Sequence, residues 1–193
     1  MNDNWLPEDI HSAVEALNKG KLILYPTDTI WGIGCDAGND EAVRAIYALK
    51  KRDASQPLIV LVSSIDMLLD YTESIHPRVQ TLLNYHERPL TVVYPEVRNL
   101  APSLNQGGAS VGIRVVQDDF CKALIDEFGL PIVSTSANVL GDPFPRCFGE
   151  ISSDVISGVD YVCKYRQYEK ASDMTPSVIA TYDSKGNLDF LRM

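Results

Sequence analysis

Apolar residues at Ile10, Val14 and Leu17 fall on one face of a 3.6-residue repeat, with Pro7 ahead of them and Gly20 behind. Residues 7–19 are therefore predicted to form an amphipathic helix that proline opens and glycine stops. The pattern then changes. An apolar run at 21–25 predicts a strand, 26–40 is rich in turn formers, and a second helix follows with Asn39 or Asp40 as its cap and Val43, Ile46 and Leu49 turned inward. The continuous apolar run 58–62 predicts a buried strand. Helical spacing returns at 65–70 and 77–85, strand-like runs occur at 90–94, 110–115 and 131–134, and a helix at 118–128 has Gly129 as its cap. Residues 98–108 read as a polar loop. Three short strands at 160–164, 176–182 and 188–192 complete the pattern, with Lys185-Gly186-Asn187 as the turn between the last two. Strands alternating with helices, then a strand-rich tail, imply an α/β domain with a mixed twisted sheet.

The length of 193 residues suits one domain, and a composition 45% hydrophobic and 22% charged excludes a disordered or fibrous chain. Seventeen basic against 26 acidic residues give a net charge of −9. That balance excludes a polybasic surface for nucleic acid or anionic membrane and leaves room only for a local basic cleft. No apolar run approaches the roughly 18 residues of a membrane span, and the first residues lack a secretory pattern, so a soluble, cytoplasmic protein is expected. Cys35, Cys121, Cys147 and Cys163 are scattered without a C-x-x-C pair, and His11, His76 and His86 lack ligand spacing. Neither a disulfide framework nor a metal held by protein ligands is expected.

Polar residues gather at the ends of the predicted elements, where an α/β sheet places its ligand crevice. Tyr25-Pro26-Thr27-Asp28-Thr29 follows the first strand directly and offers hydroxyls and a carboxylate. The same residues suit a plain turn in which Thr27 and Asp28 cap local amides. Lys50-Lys51-Arg52 supplies cations for phosphate, and it equally suits a last helical turn that answers the helix dipole. Ser134-Thr135-Ser136-Ala137-Asn138 is a run of small donors for a phosphate or ribose, or the start of a turn. Arg114 sits in the otherwise apolar Val111-Gly112-Ile113-Arg114-Val115 and needs a partner anion, either a protein carboxylate or a ligand carboxylate.

These patches occur in a definite order: Tyr-Pro-Thr-Asp-Thr at 25–29, Gly-Ile-Gly-Cys-Asp at 32–36, Lys-x-Arg at 50–52, Pro-Leu-Ile-Val at 57–60, Pro-Leu-Thr at 89–91, Val-Gly-Ile-Arg-Val at 111–115, Ser-x-Asn at 136–138 and Pro-Ser-Val at 176–178. The series resembles the YrdC family, which contains the threonylcarbamoyl-AMP synthases, over about residues 8–192, taken as a single domain. The resemblance implies an α/β fold, a YrdC-like twisted mixed sheet flanked by helices with a large concave cleft. It implies a nucleotidyltransferase that makes threonylcarbamoyl-AMP and pyrophosphate from ATP, L-threonine and bicarbonate or CO2, for the threonylcarbamoyl modification of tRNA. By the same resemblance Lys50 and Arg52 are the catalytic cations and hold the triphosphate, while Ser136, Asn138 and Arg192 contact the nucleotide. Thr27, Ser134 and Ser177 line the threonine pocket, and Arg114 pairs with the threonine carboxylate. Mg2+ accompanies ATP, and proteins that transfer threonylcarbamoyl to tRNA are the downstream partners, with direct tRNA contact left open. The chain departs from many members at Asp53, where they carry proline, and at Leu61, where they carry histidine. The alternative reading is a YrdC-like RNA- or nucleotide-binding protein without synthase activity, using the basic patch with Trp31.

Overall fold

The computed structural model describes residues 5–53, 56–105, 110–170 and 176–192. Pro7 opens α1 (Pro7–Asn18), with Glu8 and Asp9 in the first turn where the helix dipole favours acids, and Gly20 at φ +69° ends the segment. β1 (Ile23–Tyr25) follows. β2 (Gly32–Gly34) lies inside the stretch that reads as turn-rich. Glycine is a poor strand former, so no apolar alternation marks it. Space is what demands glycine here, since a Cβ on Gly34 would stand 2.7 Å from Tyr25 Cε1 and 2.7 Å from the Val133 carbonyl oxygen.

Asn39 caps α2 (Asp40–Leu49) by accepting from the Ala42 amide at 3.1 Å. β3 (Ile59–Val62), α3 (Ile65–Leu69), α4 (Pro77–Tyr85) and β4 (Leu90–Tyr94) fall within a residue of the expected runs. A single helical turn, α5 (Pro102–Asn105), occupies part of the expected polar loop, and residues 106–108 of that loop lie outside the described residues. After β5 (Val111–Val115) comes α6 (Asp119–Phe128), capped by Asp118 on the Cys121 amide and closed by Gly129 at φ +77°. β6 (Ile132–Ser136) runs past the expected end because Thr135 and Ser136 pair with Ile33 and Gly32. A further helix, α7 (Ser153–Gly158), buries only Val155 and so leaves no amphipathic repeat to read. β7 (Tyr161–Val162), shorter than expected, precedes β8 (Val178–Tyr182) and β9 (Leu188–Arg192).

The nine strands form one mixed sheet in the order β7-β1-β2-β6-β3-β5-β4-β8-β9. Strand alternation assigns side chains to its two faces. Val60 and Val62 turn toward the larger core, built with Val43 and Ile46 of α2, Leu68 of α3 and Val79 of α4. Leu61 turns the other way, into a second core with Tyr25, Ile132 and Phe120 beneath α1 and α6. These two helices do not cover all of that face. Two residues along, Ile59 packs at the edge of this second core and, with its partners Gly112 and Ser134, also lines a cavity. Among the described residues no helix is long and apolar enough to cross a membrane.

Candidate active site

The cavity measures about 470 Å3, within the range of small-molecule sites. Register explains its strand walls: Ile59 pairs with Gly112 and Ser134, Gly112 with Val93, and Thr91 with Ile179. Small residues on these rungs make the room, and a Cβ on Gly112 would come within 3.0 Å of Thr91 Cγ2. Arg52, Arg114 and Arg192 all line this one cavity. In a chain of net charge −9, three guanidinium groups in one concavity make a local field suited to anions.

Arg114 is 3% exposed. Its Nη2 lies 3.2 Å from Asp28 Oδ1 and its Nη1 donates to Thr29 Oγ1 at 3.2 Å. The anion that a buried guanidinium demands is here a protein carboxylate. Their pairing is incomplete: the Asp28 contact has ion-pair distance without hydrogen-bond alignment, and both Asp28 oxygens and Arg114 Nε are buried without a hydrogen-bond partner. Thr27 is buried below the wall, not on it. Its Oγ1 donates to the Ile30 carbonyl at 2.8 Å, accepts from the Thr29 amide and lies 2.9 Å from Thr29 Oγ1, so it shapes the loop that presents Thr29 to the cavity. Arg166, at φ +60°, ties this loop to the α6 cap through an ion pair with Asp118 at 2.8 Å and a long contact to the Thr27 carbonyl.

Ser134 and Ser177 both reach the cavity, and Ser177 Oγ is 2.8 Å from Thr91 Oγ1. Arg192 is held by Ser177, with Nε donating to its carbonyl at 2.9 Å and Nη2 to its hydroxyl at 3.4 Å. Burial, then the like charge of Arg114, lowers the Arg192 pKa.

The basic triplet is separated by backbone geometry. Arg52 N donates to the Tyr47 carbonyl and Lys51 N to the Ala48 carbonyl, the paired bonds that end a helix in a Schellman turn. Lys51 takes the left-handed position at φ +51°, where glycine is usual. This bend leaves Lys51 in solvent and brings Arg52 to the cavity, its Nη1 donating to Thr135 Oγ1 and its Nη2 to the Pro57 carbonyl. Lys50 goes inward. It is 3% exposed, its Nζ donates to the Ser136 carbonyl at 2.5 Å and the Asn138 carbonyl at 2.6 Å, and burial, then Arg52, pulls its pKa down to about 8. Of the expected phosphate-side residues, Arg52, Ser136 and Arg192 line the cavity, whereas Lys50 and Asn138 stand behind it. Asn138 spends its amide on the Asp142 carbonyl at 2.7 Å.

The family model Sua5_yciO_yrdC, described as Telomere recombination, matches residues 15–193. The chain belongs to this Sua5/YciO/YrdC family. The threonylcarbamoyl-AMP synthase of Idiomarina loihiensis is 32% identical over 165 residues, which span 84% of this chain and 86% of that protein. That of Saccharophagus degradans is 37% identical over 142 residues, 72% and 74% of the two chains. A crystal structure of P. abyssi Sua5 complexed with L-threonine matches with a TM-score of 0.82 at 25% identity, covering 95% of this chain and 53% of that one. This chain thus spans about half the length of that Sua5.

Several walls of this Sua5/YciO/YrdC cavity escape sequence reasoning. Thr29 and Thr91 lie within the quoted patches, and only the loop and the sheet register single them out. Phe144 and Leu191 line the cavity while 52% and 61% exposed, with no periodicity to mark them. Trp31 also touches the cavity, yet its ring is buried against Phe148 at a centroid distance of 5.0 Å, which removes the free aromatic face that RNA stacking would use. Burial pushes the Cys35, Cys121 and Cys163 thiols up, away from the thiolate form a nucleophile needs. Among the described residues no three His, Cys, Asp or Glu side chains form a metal cluster.

Proposed function

We propose that this protein is a threonylcarbamoyl-AMP synthase, converting L-threonine, bicarbonate or CO2, and ATP into threonylcarbamoyl-AMP and pyrophosphate. The observation that carries this reading is the convergence of Arg52, Arg114 and Arg192 with the hydroxyls of Thr29, Ser134 and Ser177 on one cavity. One end of the cavity then takes the amino acid. Arg114, with an unpartnered Nε, meets the threonine carboxylate, and Thr29, Ser134 and Ser177 surround the rest of that substrate while Thr27 holds the loop beneath. Arg52 and Arg192 take the phosphates, Ser136 offers its hydroxyl, and Asn138 acts from behind through the turn. Phe144 and Leu191 provide an apolar wall for the base.

In this reading the threonine amine takes up CO2 to form a carbamate, and a carbamate oxygen attacks the α-phosphorus as pyrophosphate leaves. No protein nucleophile is required. Positioning of the two substrates and fixed positive charge near the departing pyrophosphate lower the barrier. Mg2+ enters as part of the ATP substrate. A hard cation of this kind keeps waters and phosphate oxygens as ligands. ATP, threonine and tRNA-directed chemistry, with four free thiols, support a cytoplasmic setting in which the adenylate passes to proteins that modify tRNA.

Mass spectrometry of the product formed from ATP, threonine and 13C-bicarbonate tests the proposal. Labelled threonylcarbamoyl-AMP is expected, with pyrophosphate released only when both threonine and bicarbonate are present. Pyrophosphate release that survives removal of bicarbonate would overturn it in favour of plain amino-acid adenylation. Salt-sensitive tRNA binding without turnover would mark a nucleic-acid-binding protein.

A further inference from the structure

The triplet's first lysine has the residue type of a phosphate ligand and the surroundings of something else. Its ammonium carries three protons, and four acceptors already stand around it: the carbonyls of Ser136 and Asn138, Ser136 Oγ at 3.4 Å and Asn138 Oδ1 at 3.3 Å. The backbone of the same residue closes the loop from the other side, since the Lys50 carbonyl accepts from the Leu140 amide at 3.1 Å. Two carbonyl oxygens that converge on one point repel each other unless a cation sits between them. Moving Nζ to a phosphate would take this cation from both part-buried carbonyls, the Ser136 oxygen keeping only the Asn138 amide at 2.9 Å, and acceptors left short of a donor carry a cost.

We propose that Lys50 is a positioning residue: side chain and backbone together clamp the 136–140 turn so that Ser136 faces the nucleotide, and Nζ itself stays on the turn when ATP binds. The inference rests on the proposed nucleotide role of Ser136. It departs from direct phosphate contact, the role that residue type and family resemblance imply for this lysine. The helix end supports it, because the left-handed Lys51 turns Arg52, not Lys50, to the cavity.

Hydrogen exchange of the free protein, read by mass spectrometry, separates a clamp from a ligand. In Lys50→Met the 138–140 amides are expected to exchange roughly tenfold faster or more than in the wild type. A lysine that only binds phosphate leaves exchange in the free protein unchanged, and that result would overturn the proposal. Lys50→Arg is the second variant. Arginine is a good phosphate ligand but a planar fork, so a clamp predicts a loss of turnover close to that of Lys50→Met, roughly 100-fold, with the threonine KM within about twofold. A direct ligand predicts a mild effect. The wild type supplies a third measurement in a crystal structure with bound ATP. Nζ is expected within about 3.2 Å of the Ser136 and Asn138 carbonyls, and an Nζ that has left them for a phosphate oxygen defeats the idea. Should the wild type make no threonylcarbamoyl-AMP, the synthase reading fails while the exchange comparison still reports on the clamp.

Discussion

Leu61 and Ile59 stand two residues apart on β3 and point to the same face of the sheet, yet one is fully buried core and the other, at the edge of that core, is also cavity wall. The rung of Leu61 holds Ile132 and Arg114, and the rung of Ile59 holds Gly112 and Ser134. Under α1 and α6 the face is filled by large apolar side chains, and beyond those helices it carries glycine, hydroxyls and arginine. The contrast shows that one continuous hydrogen-bonded ladder serves two purposes according to what covers it. Arg114 marks the border, paired with Asp28 on the loop after β1. Leu61 falls on the covered side, where its apolar side chain suits the packing beneath α6.

Removing the border charge should have the largest effect. Arg114→Met leaves Asp28 as an uncompensated buried carboxylate, and about 3–5 kcal/mol of stability should be lost, with Asp28→Asn in the same chain recovering most of it in urea unfolding. Unchanged stability in the single variant would mean that the Asp28 contact does not bind the two regions together. Next come the neighbours on β3. Leu61→Ala should cost about 2–5 kcal/mol as a cavity in the covered core, while Ile59→Ala, where solvent already reaches, should cost under about 2 kcal/mol and act mainly on substrate KM. Equal losses at the two sites would erase the distinction between core and wall.

The glycines of β2 repeat the test on a smaller scale. Gly34→Ala drives a methyl against Tyr25 and the Val133 backbone at 2.7 Å and should cost about 1–3 kcal/mol. Gly32→Ala meets only Ser134 Oγ closely, at 3.0 Å, and that hydroxyl rotates. Its thermal unfolding should stay near wild type while threonine binding weakens. Titration sharpens the comparison last. Burial drives Tyr25 and Cys121 in the covered region upward, whereas burial, then Arg52, pulls Lys50 beside the open region down to about 8. Turnover should fall as pH rises through about 8. The stability contribution of Lys50 has the opposite sign: its folded-state pKa lies below the ordinary value, so the burial cost is fully present below about 8 and is relieved as pH climbs toward the ordinary lysine range. Both effects should vanish together in Lys50→Met, and a rate profile unchanged in that variant would assign the titration elsewhere.

The amino-acid order alone marked α1, α2, α4 and α6 with most of their bounds to within a residue, because apolar spacing, a cap at Asn39 or Asp40, and Gly20 and Gly129 as stops act over three or four residues, whereas the structure made Asp118 the cap and not the first residue of α6. It also placed Arg52, Arg114, Ser134, Ser136, Ser177 and Arg192 among the candidates for one site, through ordered patches that resemble a family. The tertiary structure decided the rest. It made a strand of Gly-Ile-Gly at 32–34, set Thr29 on the wall with Thr27 beneath it, chose Asp28 as the partner of Arg114, and turned Lys50 away from the cavity. Arg114 meets Thr29 across 85 positions and Lys50 meets Ser136 across 86. Contacts of that span depend on strand order and on which helices cover a face, and local propensity carries no record of either.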